Sequence, residues 1–240
     1  MAHALLFIAG WGMRDIIWSE MEHRLTNYQV IYPKEGIFQQ DDWIEKLHDQ
    51  IGREVVCSIN IIGWSMGSML AIMYAAAYPM QVERLILIGS TSRFVLDESN
   101  QTGQSPIVLS RMKRRLSSDL TSTMMDFYDS MFTDLEKQTE MYANFNRMSC
   151  TWKMHSLQTL MNGLDFLMQA DLRQTLPTLN MPVYLIHGMN DPICNVEAAI
   201  KMHSMLPQSQ LILLKEAGHM PFGFQGEEFI TIMKRCLLHD

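Results

Sequence analysis

Apolar residues along the 240-residue chain follow two alternating patterns. Short apolar runs typical of buried strands lie within residues 1–10, 28–32, 55–62, 82–88, 182–187 and 210–214. Between them, apolar residues recur at helical spacing, and the last such stretch places Phe229, Ile232, Met233, Cys236 and Leu237 on one face. Because strands and helices alternate, the pattern predicts βαβ units and a parallel sheet.

The alternation stops near residue 93 and resumes near residue 177. In that interval the apolar residues show only helical spacing, as in the stripe Leu109, Met112 and Leu116. A block of helices within an α/β chain predicts a cap. We therefore expect an α/β core formed by residues 1–92 and 177–240, with a helical cap insertion over 93–176.

A G-x-S-x-G pentapeptide, Gly63-Trp64-Ser65-Met66-Gly67, stands between a strand-type run and a helix-type run that ends at Pro79. This strand–turn–helix context is the one in which the motif exposes a nucleophilic serine. The turn leaves little room for side chains on either side, which glycine provides. The pattern favours a nucleophilic Ser65 over a structural Gly/Ser turn.

A serine hydroxyl needs a base to take its proton and an acid to orient that base. The order after such a serine is acid, then histidine. Asp191 follows the strand-type run 182–187 in an Asn-Asp-Pro turn, and it is the predicted acid, although the same turn chemistry suits a purely structural role. Asp165 and Asp171 are weaker candidates because they lie in the helical interval.

His219 is the predicted base. It lies in Ala217-Gly218-His219-Met220-Pro221-Phe222, directly after the final strand-type run. The other seven histidines are assigned no catalytic role; His187 is predicted to be structural within its strand, and the rest to lie on helices or at chain ends.

The oxyanion of an acyl-transfer reaction needs backbone N–H donors close to the nucleophile. Met66 follows the serine and is the first predicted donor. The second is Trp11, in the glycine-flanked loop Ala9-Gly10-Trp11-Gly12 that follows the first strand. An ordinary glycine turn is the alternative.

Composition narrows the class of protein. The net charge of −7 argues against bulk nucleic-acid binding. No apolar run reaches the length of a membrane span, and the N-terminal run lacks the basic residues of a signal peptide. Four scattered cysteines predict reduced thiols in the cytoplasm, with no zinc site. We expect no metal, no organic cofactor and a monomer.

Three further motifs lie in the second half of the chain: Gly163-Leu164-Asp165-Phe166-Leu167, Ala170-Asp171-Leu172-Arg173-Gln174 and Met181-Pro182. Together with Gly10-Trp11-Gly12, the Ser65 pentapeptide and Gly218-His219-Met220-Pro221-Phe222, they resemble the pimeloyl-[acyl-carrier protein] methyl ester esterases, a family of α/β hydrolases of biotin synthesis. One departure is Ala9, where the family often has histidine. The similarity spans most of the chain.

The resemblance implies a substrate, the methyl ester of pimeloyl-acyl-carrier protein, and a carrier-protein partner. It further implies that Trp11, Ser65, Met66 and His219 line the substrate site. A matching Leu-Ser…Asp…Phe pattern adds the stretch Phe127-Tyr128-Asp129-Ser130-Met131 as contacts of the acyl chain.

A basic stretch supports such a partner independently. Residues 99–118 contain Arg111, Lys113, Arg114 and Arg115 and no acidic residue. Because acyl-carrier proteins are acidic, a basic cap face could steer them to the pocket. Arg147 and Lys153 are predicted to add to this face. A merely solvated helix face is an equally good interpretation.

The sequence thus predicts a serine carboxylesterase that hydrolyses the methyl ester of pimeloyl-[acyl-carrier protein] through Ser65, His219 and Asp191 and an acyl-enzyme. One alternative is a hydrolase of other small esters or thioesters, since a triad does not define specificity. A second alternative is a hydrolase-fold receptor that binds a ligand without turnover.

Overall fold

The computed structural model describes residues 3–54, 58–224 and 226–238. The start of the strand-type run 55–62, with Cys57, lies outside these residues. The strands are β1 (His3–Ile8), β2 (Tyr28–Ile31), β3 (Ile59–Trp64), β4 (Val82–Ile88), β5 (Val183–Gly188) and β6 (Ser209–Leu214). The α-helices are α1 (Ser19–Arg24), α2 (Trp43–Glu54), α3 (Met66–Ala77), α4 (Pro106–Ser118), α5 (Leu120–Ser130), α6 (Glu140–Ser149), α7 (Leu157–Gln169), α8 (Val196–Met205), α9 (Pro221–Phe224) and α10 (Gly226–Leu237).

The six strands form one sheet in the order β2-β1-β3-β4-β5-β6, and every neighbouring pair is parallel. This confirms the predicted α/β class. All six residues of β3 are buried, as a central strand covered by helices on both faces requires. Since the carboxyl ends of parallel strands meet at one edge, the loops after β3, β5 and β6 lie together, and they carry Ser65, Asp191 and His219.

The strand that leads to the pentapeptide extends further than predicted. β3 continues through Gly63 and Trp64, which pair in register with Leu87 and Ile88 of β4. The face of α10 also differs by one residue. Ile230 is buried there, whereas Ile232 is only partly buried, so Ile230 replaces Ile232 in the predicted stripe.

Helices α4–α7, here called the helical insert (residues 106–169), lie between β4 and β5. Each begins at a side chain that accepts a backbone N–H, supplied by Ser105, Asp119, Thr139 and Ser156. No strand occurs over 93–176, all of which the structure describes, and Arg93 and Asp171 form an isolated bridge near its two ends. The boundaries of a cap domain stay a prediction.

Gly52 provides a test of the fold that leaves the site untouched. It lies inside α2 and is exposed, and an added Cβ would meet nothing within 4 Å. We expect Gly52→Ala to raise the free energy of unfolding by about 0.5–1 kcal/mol, because alanine loses less backbone entropy in a helix. Urea titration followed by circular dichroism measures this; an unchanged or lower midpoint would contradict the placement of Gly52 within α2.

Candidate active site

Ser65 lies at a sharp turn between β3 and α3. Its φ of 56° and ψ of −121° put a non-glycine residue in a strained region of backbone space. Its backbone N–H donates to Ile88 O at 2.9 Å, which ties the turn to β4. A strained serine held at the tip of a strand–helix turn is the geometry of a nucleophile elbow.

Neither glycine position of the pentapeptide has room for a side chain. A Cβ added at Gly63 would lie 2.7 Å from the carbonyl oxygen of Gly67, and one added at Gly67 would overlap the carbonyl oxygen of Ile8. The sequence prediction that the turn excludes side chains at these positions is therefore confirmed by the packing.

Asp191 and His219 form a buried hydrogen-bonded pair. His219 Nδ1 lies 2.8 Å from Asp191 Oδ2, and both side chains are almost completely excluded from solvent. The other oxygen, Asp191 Oδ1, accepts the backbone N–H groups of Ile193 and Cys194 at 2.8 and 2.9 Å. These bonds fix the carboxylate, which in turn fixes the imidazole.

A second histidine contacts the same carboxylate. His187 Nε2 lies 2.8 Å from Cys194 O and 3.3 Å from Asp191 Oδ2. Since a carbonyl oxygen only accepts, His187 Nε2 carries the proton. The sequence predicted a structural role for His187 but not its contact with Asp191. The only sequence feature that could have indicated this contact is that the two residues are four apart, at the end of one strand.

The surroundings keep Asp191 ionised. Burial alone would raise the pKa of its carboxyl, but the attraction of His219 and hydrogen bonds from His187 and His219 hold the pKa well below its usual value. Asp191 is thus a permanent acceptor at neutral pH.

The backbone of His219 is held on both sides. Its carbonyl oxygen accepts the indole N–H of Trp64 at 2.8 Å, and its N–H donates to Met131 O at 3.0 Å. Nε2, the nitrogen that would take a proton from serine, is buried and has no hydrogen-bond partner among the described residues.

Ser65 and His219 lie at the same edge of the sheet. Ser65 is bonded to Ile88, and a Cβ added at the next residue, Gly89, would lie 3.1 Å from His219 Nδ1. Within the described chain, no hydrogen bond joins Ser65 Oγ to His219 Nε2. Catalytic hydrogen bonds are often long in ligand-free structures and tighten when substrate binds.

The predicted oxyanion donors flank Ser65. Met66 is the first residue of α3, so its N–H has no partner within the helix. The loop that carries Trp11 approaches from β1, and a Cβ added at Gly10 would lie 3.2 Å from Ser65 Cβ. In the part of the chain that the structure describes, neither the Trp11 nor the Met66 backbone N–H donates a hydrogen bond.

The side chain of Trp11 joins this loop to the helical insert. Its indole N–H donates to Leu160 O at 2.9 Å, and its ring packs edge-on against Phe127 with centroids 4.8 Å apart. Gly163 permits the approach, because a Cβ there would collide with the indole.

A cavity of about 610 Å³ borders the loop over residues 9–12, which carries Trp11. Trp11 and Met66 line it together with Leu160 and Phe166 of α7. Neither Ser65 nor His219 lines it. His155, predicted to lie on a helix or at a chain end, instead occupies the loop before α7, where Nε2 contacts Met13 O at 3.0 Å and the ring borders the cavity.

Two of the five predicted acyl contacts, Phe127 and Tyr128 of α5, contact the loop that carries Trp11. Phe127 packs on Trp11, and the Tyr128 hydroxyl donates to Gly12 O at 2.9 Å. Burial raises the pKa of Tyr128 to about 12, so the phenol stays protonated and remains a donor at neutral pH.

The other three residues make contacts within the insert or with the His219 loop. Asp129 accepts hydrogen bonds from Lys137 and Tyr142, and Ser130 Oγ donates to a carbonyl of its own helix. Met131 is buried and offers its carbonyl to His219. None of residues 127–131 lines the 610 Å³ cavity.

The basic stretch of α4 is only partly free. Lys113 pairs with Asp165 of α7, and Arg115 pairs with Asp126 of α5. Arg111 and Arg114 are exposed and form no ion pair with the described residues. The sequence prediction treated all four cations as one basic face, because the two aspartates that pair with Lys113 and Arg115 lie outside the stretch 99–118.

Within residues 3–54, 58–224 and 226–238, no cluster of three or more His, Cys, Asp or Glu side chains could hold a metal ion. No helix there has the length and apolar content to cross a membrane.

Comparisons with known proteins agree with the fold. Residues 19–225 match the family described as alpha/beta hydrolase fold. Among solved structures, an esterase from Exiguobacterium antarcticum superposes with a TM-score of 0.84 at 20% identity, covering 98% of this chain and 91% of that one. A bromoperoxidase from Bacillus anthracis gives 0.86 at 20% identity, covering 99% and 92%. The fold is thus that of the α/β hydrolases.

Sequence relatives define a narrower group. A pimeloyl-[acyl-carrier protein] methyl ester esterase of Nitrosomonas europaea is 31% identical over 238 residues, which cover 95% of this chain and 92% of the relative. Esterases of the same name from Aliivibrio fischeri and Legionella pneumophila are 26% and 28% identical, covering 97% and 95% of this chain and 93% and 92% of the relatives. The chain therefore belongs to the pimeloyl-[acyl-carrier protein] methyl ester esterase family of α/β hydrolases, and it is a carboxylic ester hydrolase.

Proposed function

We propose that this protein hydrolyses the methyl ester of pimeloyl-[acyl-carrier protein] in biotin synthesis. The observation that carries the proposal is the similarity to the Nitrosomonas europaea esterase of that name along nearly the whole of both chains. The elbow at Ser65 and the buried Asp191–His219 pair supply a chemistry that fits ester cleavage.

In the proposed mechanism, His219 Nε2 takes the proton of Ser65 as Oγ attacks the ester carbonyl carbon. The resulting oxyanion accepts the backbone N–H groups of Trp11 and Met66. The intermediate collapses to an acyl-enzyme as His219 returns the proton to the leaving methanol. His219 then takes a proton from water as the water attacks the acyl-enzyme, and it returns that proton to Ser65 Oγ as the carboxylic acid leaves. Asp191 stabilises the imidazolium at each stage.

The 610 Å³ cavity is the proposed binding space for part of the acyl chain. Its volume is in the range of small-molecule sites. Trp11 and Met66 border both this cavity and the turn at Ser65. A chain lying there would contact Trp11 and Met66, the residues that carry the two proposed N–H donors. The apolar faces of Leu160 and Phe166 suit its methylene groups.

A direct assay tests the proposal. The purified protein is incubated with pimeloyl-[acyl-carrier protein] methyl ester, and mass spectrometry follows loss of the methyl group from the carrier. We expect conversion, and faster conversion than for a short methyl ester at equal concentration. Hydrolysis of the short ester alone would point to a general small-ester hydrolase. Binding without conversion of either would point to a receptor.

Arg111 and Arg114 are the proposed docking cations for the acidic carrier protein. They are exposed on one helix of the insert and are not neutralised by a described acidic side chain, whereas Arg115 is. Exposed charges of this kind act mainly on the rate of encounter. Arg147, on α6, bonds to Asn144 of its own helix, and its contribution stays a prediction.

Charge reversal separates docking from chemistry. We expect Arg111→Glu/Arg114→Glu to lower kcat/KM for the carrier-bound ester about tenfold or more at low salt, with a smaller loss at high salt. Hydrolysis of a short ester should be unchanged. Arg235→Glu, at an exposed arginine of α10, is the matched control and should affect neither substrate. Equal losses on both substrates would contradict a docking role.

We place this reaction in the cytoplasm with the carrier protein. Three cysteines, Cys150, Cys194 and Cys236, are free thiols, which suits a reducing compartment. The monomeric state stays a prediction, as does the absence of nucleic-acid binding.

A further inference from the structure

A buried carboxylate, Glu136, lies in the loop between α5 and α6. Together with Thr133 it forms a reciprocal capping box at the start of a short helical turn. Glu136 N–H donates to Thr133 Oγ1 at 3.1 Å, and Thr133 N–H donates to Glu136 Oε2 at 2.8 Å. This local motif uses only one carboxylate oxygen.

The second oxygen reaches a distant part of the chain. Glu136 Oε1 accepts the backbone N–H of Gly218 at 2.8 Å, and the residue is 0% exposed. A capping box functions at the protein surface and does not require burial. Because removing a carboxylate from water is unfavourable, the burial of Glu136 calls for a role beyond capping.

Gly218 immediately precedes His219, whose own N–H is held by Met131 O at 3.0 Å. Two successive N–H groups of the histidine loop are therefore bound by residues 131–136 of the helical insert. A Cβ at Gly218 would overlap Glu136 Oε2 and would lie 2.9 Å from Met131 O. Gly218 therefore leaves no room for a side chain between the histidine loop and the insert.

We propose that Glu136 is a positioning residue that holds the imidazole of His219 in register with Asp191 and Ser65. The role rests on the proposed function of His219 as the base. No atom of Glu136 touches substrate in this scheme; it acts through the Gly218 peptide. A misplacement of about 1 Å at a reacting group can lower a rate about 10²-fold, so a fixed loop matters for catalysis.

The position of Glu136 also joins the insert to the base. Tyr128 of α5 lies just before residues 131–136 and bonds to Gly12 O, in the loop that carries Trp11. The insert therefore contacts both the Trp11 loop and the His219 loop.

Four variants test the proposal with a short p-nitrophenyl ester, so that carrier docking plays no part. In Glu136→Gln, the amide oxygen can accept only one of the two N–H groups. Gly218→Ala disturbs the same contact, because the added Cβ would overlap the Glu136 carboxylate. The double variant carries both substitutions. Thr133→Ala is the matched control, since it removes the hydroxyl that accepts the Glu136 N–H but leaves both N–H groups that the Glu136 carboxylate accepts.

We expect Glu136→Gln and Gly218→Ala each to lower kcat about 10- to 100-fold with KM within about twofold. The double variant should lose little more than the worse single variant, because both remove one contact. Thr133→Ala should lower Tm by about 2–4 °C and leave kcat within about twofold. Proton NMR should show the hydrogen-bonded His219 Nδ1 proton in the wild type and in Thr133→Ala, and a weakened signal in Glu136→Gln.

Two results would overturn the proposal: wild-type kcat in both Gly218→Ala and the double variant, or kcat losses that follow Tm across all four variants. The NMR signal needs no turnover, so its full retention in the double variant would count against positioning even in the absence of esterase activity. Failure of the proposed function is recognised separately, as a wild type that hydrolyses the short ester but not the carrier-bound one.

Discussion

Ser65→Ala should reduce kcat for ester hydrolysis by at least about 10⁴-fold, because the remaining groups cannot form an acyl-enzyme. The carrier-bound ester should still bind, since Trp11 and Met66 are unchanged. Alanine meets the same backbone strain at φ 56° as serine does, so the free energy of unfolding should change by less than about 1 kcal/mol. Steady-state kinetics and a titration of carrier-ester binding measure these quantities.

Ser204→Ala is the control for that variant. Ser204 is exposed on α8 and bonds only to a carbonyl of its own helix among the described residues. It should keep full activity. A Ser65→Ala protein with more than a small fraction of wild-type kcat would rule out Ser65 as the nucleophile.

Asp191→Asn should lower kcat about 10⁴-fold while leaving most of the substrate affinity. The amide introduced by this substitution can offer His219 only an uncharged acceptor or an N–H group, so the imidazolium loses its counter-charge and its tautomer is no longer fixed. Asp165→Asn is a suitable control, since Asp165 pairs with Lys113 on the surface of the insert. A fall of less than tenfold in Asp191→Asn would assign the orienting role elsewhere.

The free energy of unfolding should depend differently on acidic pH in the wild type and in Asp191→Asn. The pKa of Asp191 lies below its usual value in the folded protein. The Asp191 carboxyl therefore binds a proton more readily in the unfolded chain than in the folded protein. Its contribution to the free energy of unfolding is complete above the pKa of the unfolded chain and is lost as the pH falls below it. The free energy of unfolding should drop more steeply between about pH 5 and about pH 3 in the wild type than in Asp191→Asn.

Local sequence patterns predicted the residues at the strand ends. Ser65, Asp191 and His219 each follow an apolar run, and a parallel sheet brings such positions to one edge whatever the loops between them do. The two glycines of the pentapeptide are needed because the turn itself has no room for side chains, which is a local property of the chain. This is why the α/β class and the proposed catalytic groups could be read without a structure.

Contacts between distant segments were not predictable in this way. The Thr-x-x-Glu spacing at Thr133 and Glu136 signals a helical turn, but nothing in it shows that the second carboxylate oxygen meets Gly218, 82 residues further on. The pairing of Lys113 and Arg115 with distant aspartates likewise depends on how the insert helices pack. Such contacts are properties of the tertiary fold.

Labelling with a fluorophosphonate probe tests the central claim most directly, because only an activated serine is modified. After tryptic digestion, mass spectrometry should locate the probe on the peptide that contains Ser65 in the wild type. The label should be absent from Ser65→Ala and strongly slowed in Asp191→Asn. A label on another residue, or equal labelling of wild type and Ser65→Ala, would contradict the account.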